Sequence, residues 1–110
     1  MDLRRRAVEG VEVLTPVGRI DAVSSVELRN RVGTMIAEGR RQIVLDMSSV
    51  DFIDSSGLGV LVASLRTAKR DGGVLKIAAL NGNTRQLFDL MRLDRVFELF
   101  GNVDESLKSF

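Results

Sequence analysis

The spacing of apolar residues changes along this chain from a period of two to a period of three to four. Valines alternate with other residues over Val8–Val17 around a turn at Glu9-Gly10, which predicts a hairpin of two strands. Pro16 is expected to mark the end of the second strand. The chain therefore opens with antiparallel β-structure.

Strands and helices then alternate. Helical spacing of apolar residues predicts four helices: one from Ser24 to Gly39, one from about Ser56 to Arg70, one from Thr84 to about Met91, and a last one carrying Val103, Leu107 and Phe110. Continuous apolar runs predict buried strands at Gln42–Met47 and Val74–Leu80, with a short apolar piece at Val96–Phe100. This order predicts an α/β fold with a mixed, mostly parallel sheet of four to five strands, in a single domain over residues 1–110.

The segment 45–59, LDMSSVDFIDSSGLG, runs from an apolar strand through acidic turns to the start of a helix. The first N–H groups of a helix lack partners within it, and the helix dipole makes this end attractive to anions. At three other helix starts we expect a polar cap residue with an acid or amide three positions later: Ser24 with Glu27, Asn83 with Gln86, and Asn102 with Glu105. No such pair is present near Ser55. There, Gly57 and Gly59 each lower the stability of the helix by about 1 kcal/mol relative to alanine.

Two loops are expected at the same edge of the sheet. Ligand sites of parallel sheets form at the carboxyl ends of the strands. The Asp21 loop follows the second predicted strand and the 51–56 loop follows the third. We expect the two loops to face one partner together.

Composition narrows the possible functions. The chain has 110 residues, a net charge of +1, no cysteine and no histidine. Near-neutral charge disfavours strong attraction to nucleic acid or membrane, and disulfides, thiolate chemistry and histidine catalysis are excluded. The longest apolar run, Leu58–Leu65, is too short to span a bilayer, so a soluble cytoplasmic protein is expected. The basic residues of Arg4–Arg6 and Arg40-Arg41 are expected to be solvated surface.

An enzymatic role finds little support in the sequence. Three carboxylates near one strand end, Asp46, Asp51 and Asp54, resemble the Mg²⁺ ligands of a receiver domain, but such a domain also needs an acidic pair after the first strand, and none is present. Ser55 lacks the motifs of a serine nucleophile, and no glycine-lysine pair opens a helix to cradle a nucleotide. We therefore expect no catalytic residue, no metal and no cofactor.

Several segments together resemble the STAS domain of bacterial anti-sigma-factor antagonists, and the likeness covers nearly the whole chain. They are GRIDAVSS at 18–25, IVLDMSSVDFIDSSGLG at 43–59, the glycine pair at 72–73, and TRQLFDLMRLDRVF at 84–97. The resemblance implies that Ser55 is the phosphorylation site. The residues around it that are expected to bind the partner are Asp21, Asp54, Ser56, Gly57, Leu58 and Gly59.

The resemblance also implies a partner switch. The unphosphorylated antagonist binds an anti-sigma factor, which is also its ATP-dependent serine kinase of the histidine-kinase-like type, and a PP2C-type phosphatase reverses the modification. A monomer is the expected state of the free chain. Where better-known members often carry an acidic residue before the Ile/Leu-Asp pair, this chain has Arg19, which leaves the cognate kinase open.

Alternatives stand beside these interpretations. Ser56 is an alternative acceptor, although it is also expected to cap the helix. Gly57 and Gly59 are equally explained by tight packing of the helix on the sheet, and Asp21 by a turn or cap before Ser24. The alternative function is a constitutive STAS subunit of a lipid-transport or stress-signalling assembly, without phosphorylation.

Overall fold

A computed structural model describes all 110 residues, and it contains six strands and four α-helices. In chain order they are β1 (Asp2–Val8), β2 (Val11–Ile20), α1 (Ser24–Ala37), β3 (Gln42–Asp46), β4 (Val50–Ile53), α2 (Ser55–Arg70), β5 (Val74–Ala78), α3 (Gly82–Leu90), a 3-10 turn (Leu93–Arg95), β6 (Leu99–Phe100) and α4 (Val103–Lys108). Strand β4 was not predicted, because the sequence indicates only turns at Val50–Ile53.

The six strands form one mixed sheet. Its order is β1-β2-β3-β5-β6, and β4 pairs with β2 as well. Only β1 runs antiparallel to its neighbour, and the other pairs are parallel. The predicted α/β class and mostly parallel sheet are confirmed, with six strands rather than four to five.

Strand β2 is long because it changes partner halfway. Its first half, Glu12–Leu14, pairs with β3, and its last residues, Gly18–Ile20, pair with β4. Pro16, which has no N–H to donate, lies between the two pairings, and Gly18 adopts a φ of +95° at the irregularity where the second one begins. The expectation that Pro16 ends the strand is therefore wrong: the strand continues to Ile20 and delivers that residue to the site.

The main core lies between the sheet and helices α1, α2 and α3. Its largest fully buried side chains include Phe88, Leu14, Ile20, Met35 and Leu61. A smaller cluster on the opposite face of the sheet packs against α4, and its members are Val11, Val13, Val44 and Ala78. The sheet is therefore covered on both faces, as parallel sheets usually are.

A buried carboxylate links β1, β2 and the loop after α1 at the end of the sheet away from the predicted site. The Glu12 side chain is only 6% exposed and accepts hydrogen bonds from Arg5 at 3.0 Å and from Arg40 at 2.8 Å. The bonds from Arg5 and then Arg40 hold the pKa of the Glu12 carboxyl below its ordinary value. Arg5 and Arg40 are exposed residues, as expected, and each also pairs with the buried Glu12 carboxylate.

The helix caps only partly follow the expected pairs. At α4 the Asn102 side chain accepts from the Glu105 N–H at 2.8 Å, which confirms that pair. Helix α3 begins earlier than expected, with Asn81 at its cap, and the Thr84 hydroxyl accepts from the Asn81 N–H at 3.3 Å. Asn83 lies inside this helix, so the cap predicted there is wrong.

Candidate functional site

The two predicted site loops leave the sheet side by side. Ile20 of β2 and Ile53 of β4 are partners in the parallel pairing, and the Asp54 N–H donates to the Ile20 carbonyl at 3.2 Å. Asp21 and Asp54 directly follow this pair, so they share one rim of the sheet as expected. Asp51 lies within β4 rather than in the loop, and it is exposed there on the strand.

Asp54 caps helix α2. It has extended backbone geometry, and its carboxylate accepts from the Gly57 N–H at 2.8 Å. The cap is therefore Asp54, and the expectation that Ser56 caps the helix is wrong. The sequence signal was incomplete because the third helical residue is Gly57, which has no side chain to return a hydrogen bond to the cap.

The two serines that follow Asp54 are accessible. Ser55 is the first residue of α2, and both Ser55 and Ser56 are exposed. No acidic residue lies in the first turn of this helix. The Ser55 hydroxyl therefore sits at the positive end of the helix dipole, in reach of a second protein.

The two glycines of α2 have different surroundings. A Cβ at Gly57 would collide with the backbone carbonyl oxygen of Ile20 and lie 2.9 Å from the Cγ2 atom of Ile53. At Gly59 a Cβ would meet no atom within 4 Å, and this residue is exposed. Tight packing therefore explains Gly57 but not Gly59. Leu58 between them is half-buried and packs against the main core.

Asp21 orders the neighbouring loop. Its Oδ1 atom accepts from the N–H groups of Ser24 at 3.0 Å and Val23 at 3.1 Å. The hydrogen bond from the Ser24 backbone is the main cause that holds the pKa of the Asp21 carboxyl below its ordinary value. The Ser24 hydroxyl donates to the Arg19 carbonyl at 2.7 Å rather than capping α1, so the predicted cap at Ser24 is wrong.

An exposed arginine and an exposed aromatic ring lie beside the two loops, in a contact that the sequence pattern does not predict. Arg19 of β2 pairs with Phe52 of β4, and its guanidinium carbon lies 4.0 Å from the centre of the ring. The signal in the sequence was Phe52, a large aromatic residue between the acidic Asp51 and the apolar Ile53 just before the site. Only the parallel pairing of β2 and β4 shows that it meets Arg19.

The carboxylates near this rim do not form a metal site. No group of three or more His, Cys, Asp or Glu side chains is placed to hold an ion. Asp46, one of the three considered for Mg²⁺, instead accepts from the Thr15 hydroxyl at 3.1 Å and from the Ser48 N–H at 3.1 Å. No helix of the structure has both the length and the apolar character needed to cross a membrane.

Comparison with known proteins identifies the family. The family model of the STAS domain matches residues 3–106. The chain is 34% identical over 100 residues to the anti-sigma-F factor antagonist RsfB of Mycobacterium tuberculosis, covering 89% of this chain and 80% of that protein. It is 32% identical over 82 residues to the anti-sigma-B factor antagonist of Bacillus subtilis, covering 74% of each.

A solved structure agrees with the sequence relatives. The crystal structure of an anti-sigma factor antagonist from Mycobacterium paratuberculosis superimposes with a TM-score of 0.88 at 29% identity, covering 98% of this chain and 92% of that one. Sequence and fold therefore agree over nearly the whole length. The chain belongs to the STAS domain family.

Proposed function

We propose that this chain is an anti-sigma factor antagonist whose binding to its anti-sigma factor is switched off by phosphorylation of Ser55. The observation that carries the proposal is the exposed Ser55 hydroxyl at the start of α2, on the rim that Asp21 and Asp54 share. The likeness to antagonists named for sigma-F and sigma-B pathways supports the class of target. The chain acts as one domain over residues 1–110, as a monomer before it binds, in the cytoplasm.

The unphosphorylated rim forms the binding surface. Asp21 and Asp54 contribute charge, Ser56 and Gly59 contribute exposed helix surface, and the remaining predicted contacts, Gly57 and Leu58, set how close α2 lies to the sheet. The partner is an anti-sigma factor with a histidine-kinase-like ATP site. Capture of this partner frees the sigma factor.

The same partner is proposed as the kinase. The Ser55 Oγ attacks the γ-phosphorus of ATP, the bond to the β-phosphate oxygen breaks, ADP leaves and the hydroxyl proton is released. A PP2C-type phosphatase reverses the change by hydrolysing the serine phosphate to serine and inorganic phosphate. The chain itself supplies only the acceptor hydroxyl and the surface.

The switch follows from the charge that phosphorylation adds. A phosphoserine carries about −1.5 to −2 charges at neutral pH, next to Asp54 and near the exposed Asp51. The positive end of α2 offsets part of the repulsion within the chain, so the fold is expected to stay unchanged. A solvated dianion in a close protein contact costs several kcal/mol, and each 1.4 kcal/mol is about tenfold in affinity. The affinity is expected to fall about 100-fold or more.

Intact-mass measurement tests the modification. The chain is incubated with ATP and each histidine-kinase-like anti-sigma factor of its genome, and a gain of about 80 Da is expected, the mass of one phosphoryl group. The gain should persist in Ser56→Ala and disappear in Ser55→Ala. Binding without any gain of mass would instead support the constitutive subunit.

Affinity measurement tests the switch itself. Ser55→Asp is compared with Ser55→Ala and wild type by titration calorimetry, and thermal unfolding checks that each variant is folded. Ser55→Asp is expected to bind at least tenfold more weakly than Ser55→Ala. An Ser55→Asp variant that binds as tightly as wild type would contradict the electrostatic switch.

A further inference from the structure

Arg19 and Phe52 form an exposed platform two residues before Asp21 and Asp54, where the two site loops begin. The guanidinium group stacks over the ring at 4.0 Å, the Arg19 side chain is 61% exposed, and Phe52 is 38% exposed. Because Ile20 and Ile53 point into the core, the preceding pair faces the opposite side of the two strands.

The ring holds the arginine in a defined position. Stacking on an aromatic face restricts a side chain that is otherwise flexible, and so lowers the entropy lost when a ligand binds it. The charge of Arg19 is only loosely balanced within the chain, since its Nε atom is 3.9 Å from the Asp21 Oδ2 atom. The platform therefore presents an oriented guanidinium group that can donate hydrogen bonds to a further acceptor.

The surroundings decide which acceptor fits. Asp21, Asp51 and Asp54 lie on or next to the same rim, and their charges repel a free polyanion such as a nucleotide or nucleic acid. A protein surface can instead place a single carboxylate on the guanidinium and basic groups opposite the aspartates. The planar fork of arginine matches the geometry of a carboxylate in two parallel hydrogen bonds.

We propose that the Arg19–Phe52 platform receives an aspartate or glutamate side chain of the anti-sigma factor and selects the cognate anti-sigma factor by this contact. The proposal rests on the proposed function and names the contact that discriminates between related partners. Arg19 makes the ion pair, and Phe52 is a positioning residue. A non-cognate anti-sigma factor with a lysine or arginine at that place is rejected by like charge.

Charge reversal tests the proposal. The protein is kept unphosphorylated, so that a contact between Arg19 and a phosphate on Ser55 cannot affect the measured affinity. The affinity of Arg19→Glu for the anti-sigma factor that binds wild type is expected to fall at least tenfold. Arg19→Lys keeps the charge but loses the fork, and Phe52→Leu loses the aromatic face, so each is expected to bind three- to tenfold more weakly. Arg6→Glu, the same change on β1 at an exposed position away from the rim, is the control and should stay within twofold.

Rescue identifies the partner residue. Asp and Glu residues on the surface of the anti-sigma factor are replaced one at a time by Lys, and one replacement is expected to restore binding of Arg19→Glu while weakening binding of wild type. Thermal unfolding should give similar Tm values for Arg19→Glu and Arg6→Glu, which separates loss of contact from loss of fold. Such a reciprocal pair supports the platform as a specificity contact.

Other outcomes overturn the proposal in distinguishable ways. Equal affinity of Arg19→Glu and wild type, with binding still lost in Ser55→Asp, removes the platform from the interface but leaves the proposed function standing. Tighter binding by Arg19→Glu shows a basic group in the partner and contradicts the carboxylate. If wild type itself binds no anti-sigma factor of its genome, the proposed function fails, and the platform proposal with it.

Discussion

Replacing Gly59 with alanine separates the two reasons for a glycine in a helix, close packing and close approach of a partner. The new Cβ would meet no atom within 4 Å, and alanine is better than glycine inside a helix by about 1 kcal/mol. The free energy of unfolding should therefore rise by about 1 kcal/mol. Unfolding entropy is about 2.1 cal/mol/K per residue, so for a chain of this length Tm should rise by about 4 °C.

Gly57→Ala is the matched substitution two residues earlier and should act in the opposite direction. Its Cβ would collide with the Ile20 carbonyl oxygen, which belongs to the backbone and cannot turn aside. Forcing extra atoms against a fixed backbone oxygen costs up to about 3 kcal/mol. The helix preference of alanine returns about 1 kcal/mol of this, which leaves a net fall in Tm of up to about 9 °C. The two variants thus differ in sign although the chemical change is identical.

Thermal unfolding by circular dichroism measures the stability effect, and titration calorimetry with the anti-sigma factor measures binding. Gly59→Ala is expected to be more stable yet to bind about tenfold more weakly, because the partner then meets a methyl group where it approached bare backbone. A lower Tm for Gly59→Ala would refute the view that this position is open. A higher Tm with unchanged affinity would remove Gly59 from the binding surface.

Further predictions concern the cap, the buried carboxylate and the core. Asp54→Ala should lower the free energy of unfolding by about 1 kcal/mol through loss of the α2 cap, while Asp54→Asn should retain most of it in chemical denaturation; equal losses would argue against capping. Because Arg5 and Arg40 lower the pKa of Glu12 in the folded chain, the stability that this carboxylate contributes is present above its unfolded pKa of about 4.3 and disappears as pH falls through the lower folded value. The Tm of wild type should thus exceed that of Glu12→Gln at pH 7, and this difference in Tm should shrink between about pH 5 and pH 2. A difference in Tm that stays constant with pH would contradict the role of the carboxylate. Phe88→Ala should cost about 3–5 kcal/mol in urea unfolding because this ring is fully buried, and a cost below about 1 kcal/mol would mean that the core refills the space.

The fold was largely predictable because most of its elements are long enough to show a period. Strand β4 was missed because it has only four residues, and its buried positions, Val50 and Ile53, are three apart instead of two. Acidic and serine residues around it gave a stronger turn signal than strand signal. The continuation of β2 past Pro16 was missed for a related reason, because a proline in a strand is tolerated where the strand changes partner, and no local pattern reveals that change.

The placement of the two loops was predictable from the sequence, but their contacts were not. The rule that sites form at the carboxyl ends of parallel strands placed Asp21 and Asp54 on one rim. The sequence did not predict the cap at Asp54, because a capping box needs a side chain at the third helical residue to bond back to the cap. That residue is Gly57, which has no side chain. The stacking of Arg19 on Phe52 joins residues more than thirty positions apart, and their contact depends on a strand pairing that the sequence pattern did not show.

The partner change along β2 has a consequence for how such surfaces diversify. One continuous strand carries Ile20 to the rim, and the main-chain bond from Asp54 to Ile20 fixes the spacing of both loops without using any side chain there. Neighbouring positions such as Arg19 and Phe52 can therefore be exchanged while Ser55 stays in place. Duplicated copies of such a chain can acquire separate partners by a few surface replacements, each copy keeping the same main-chain frame around Ser55.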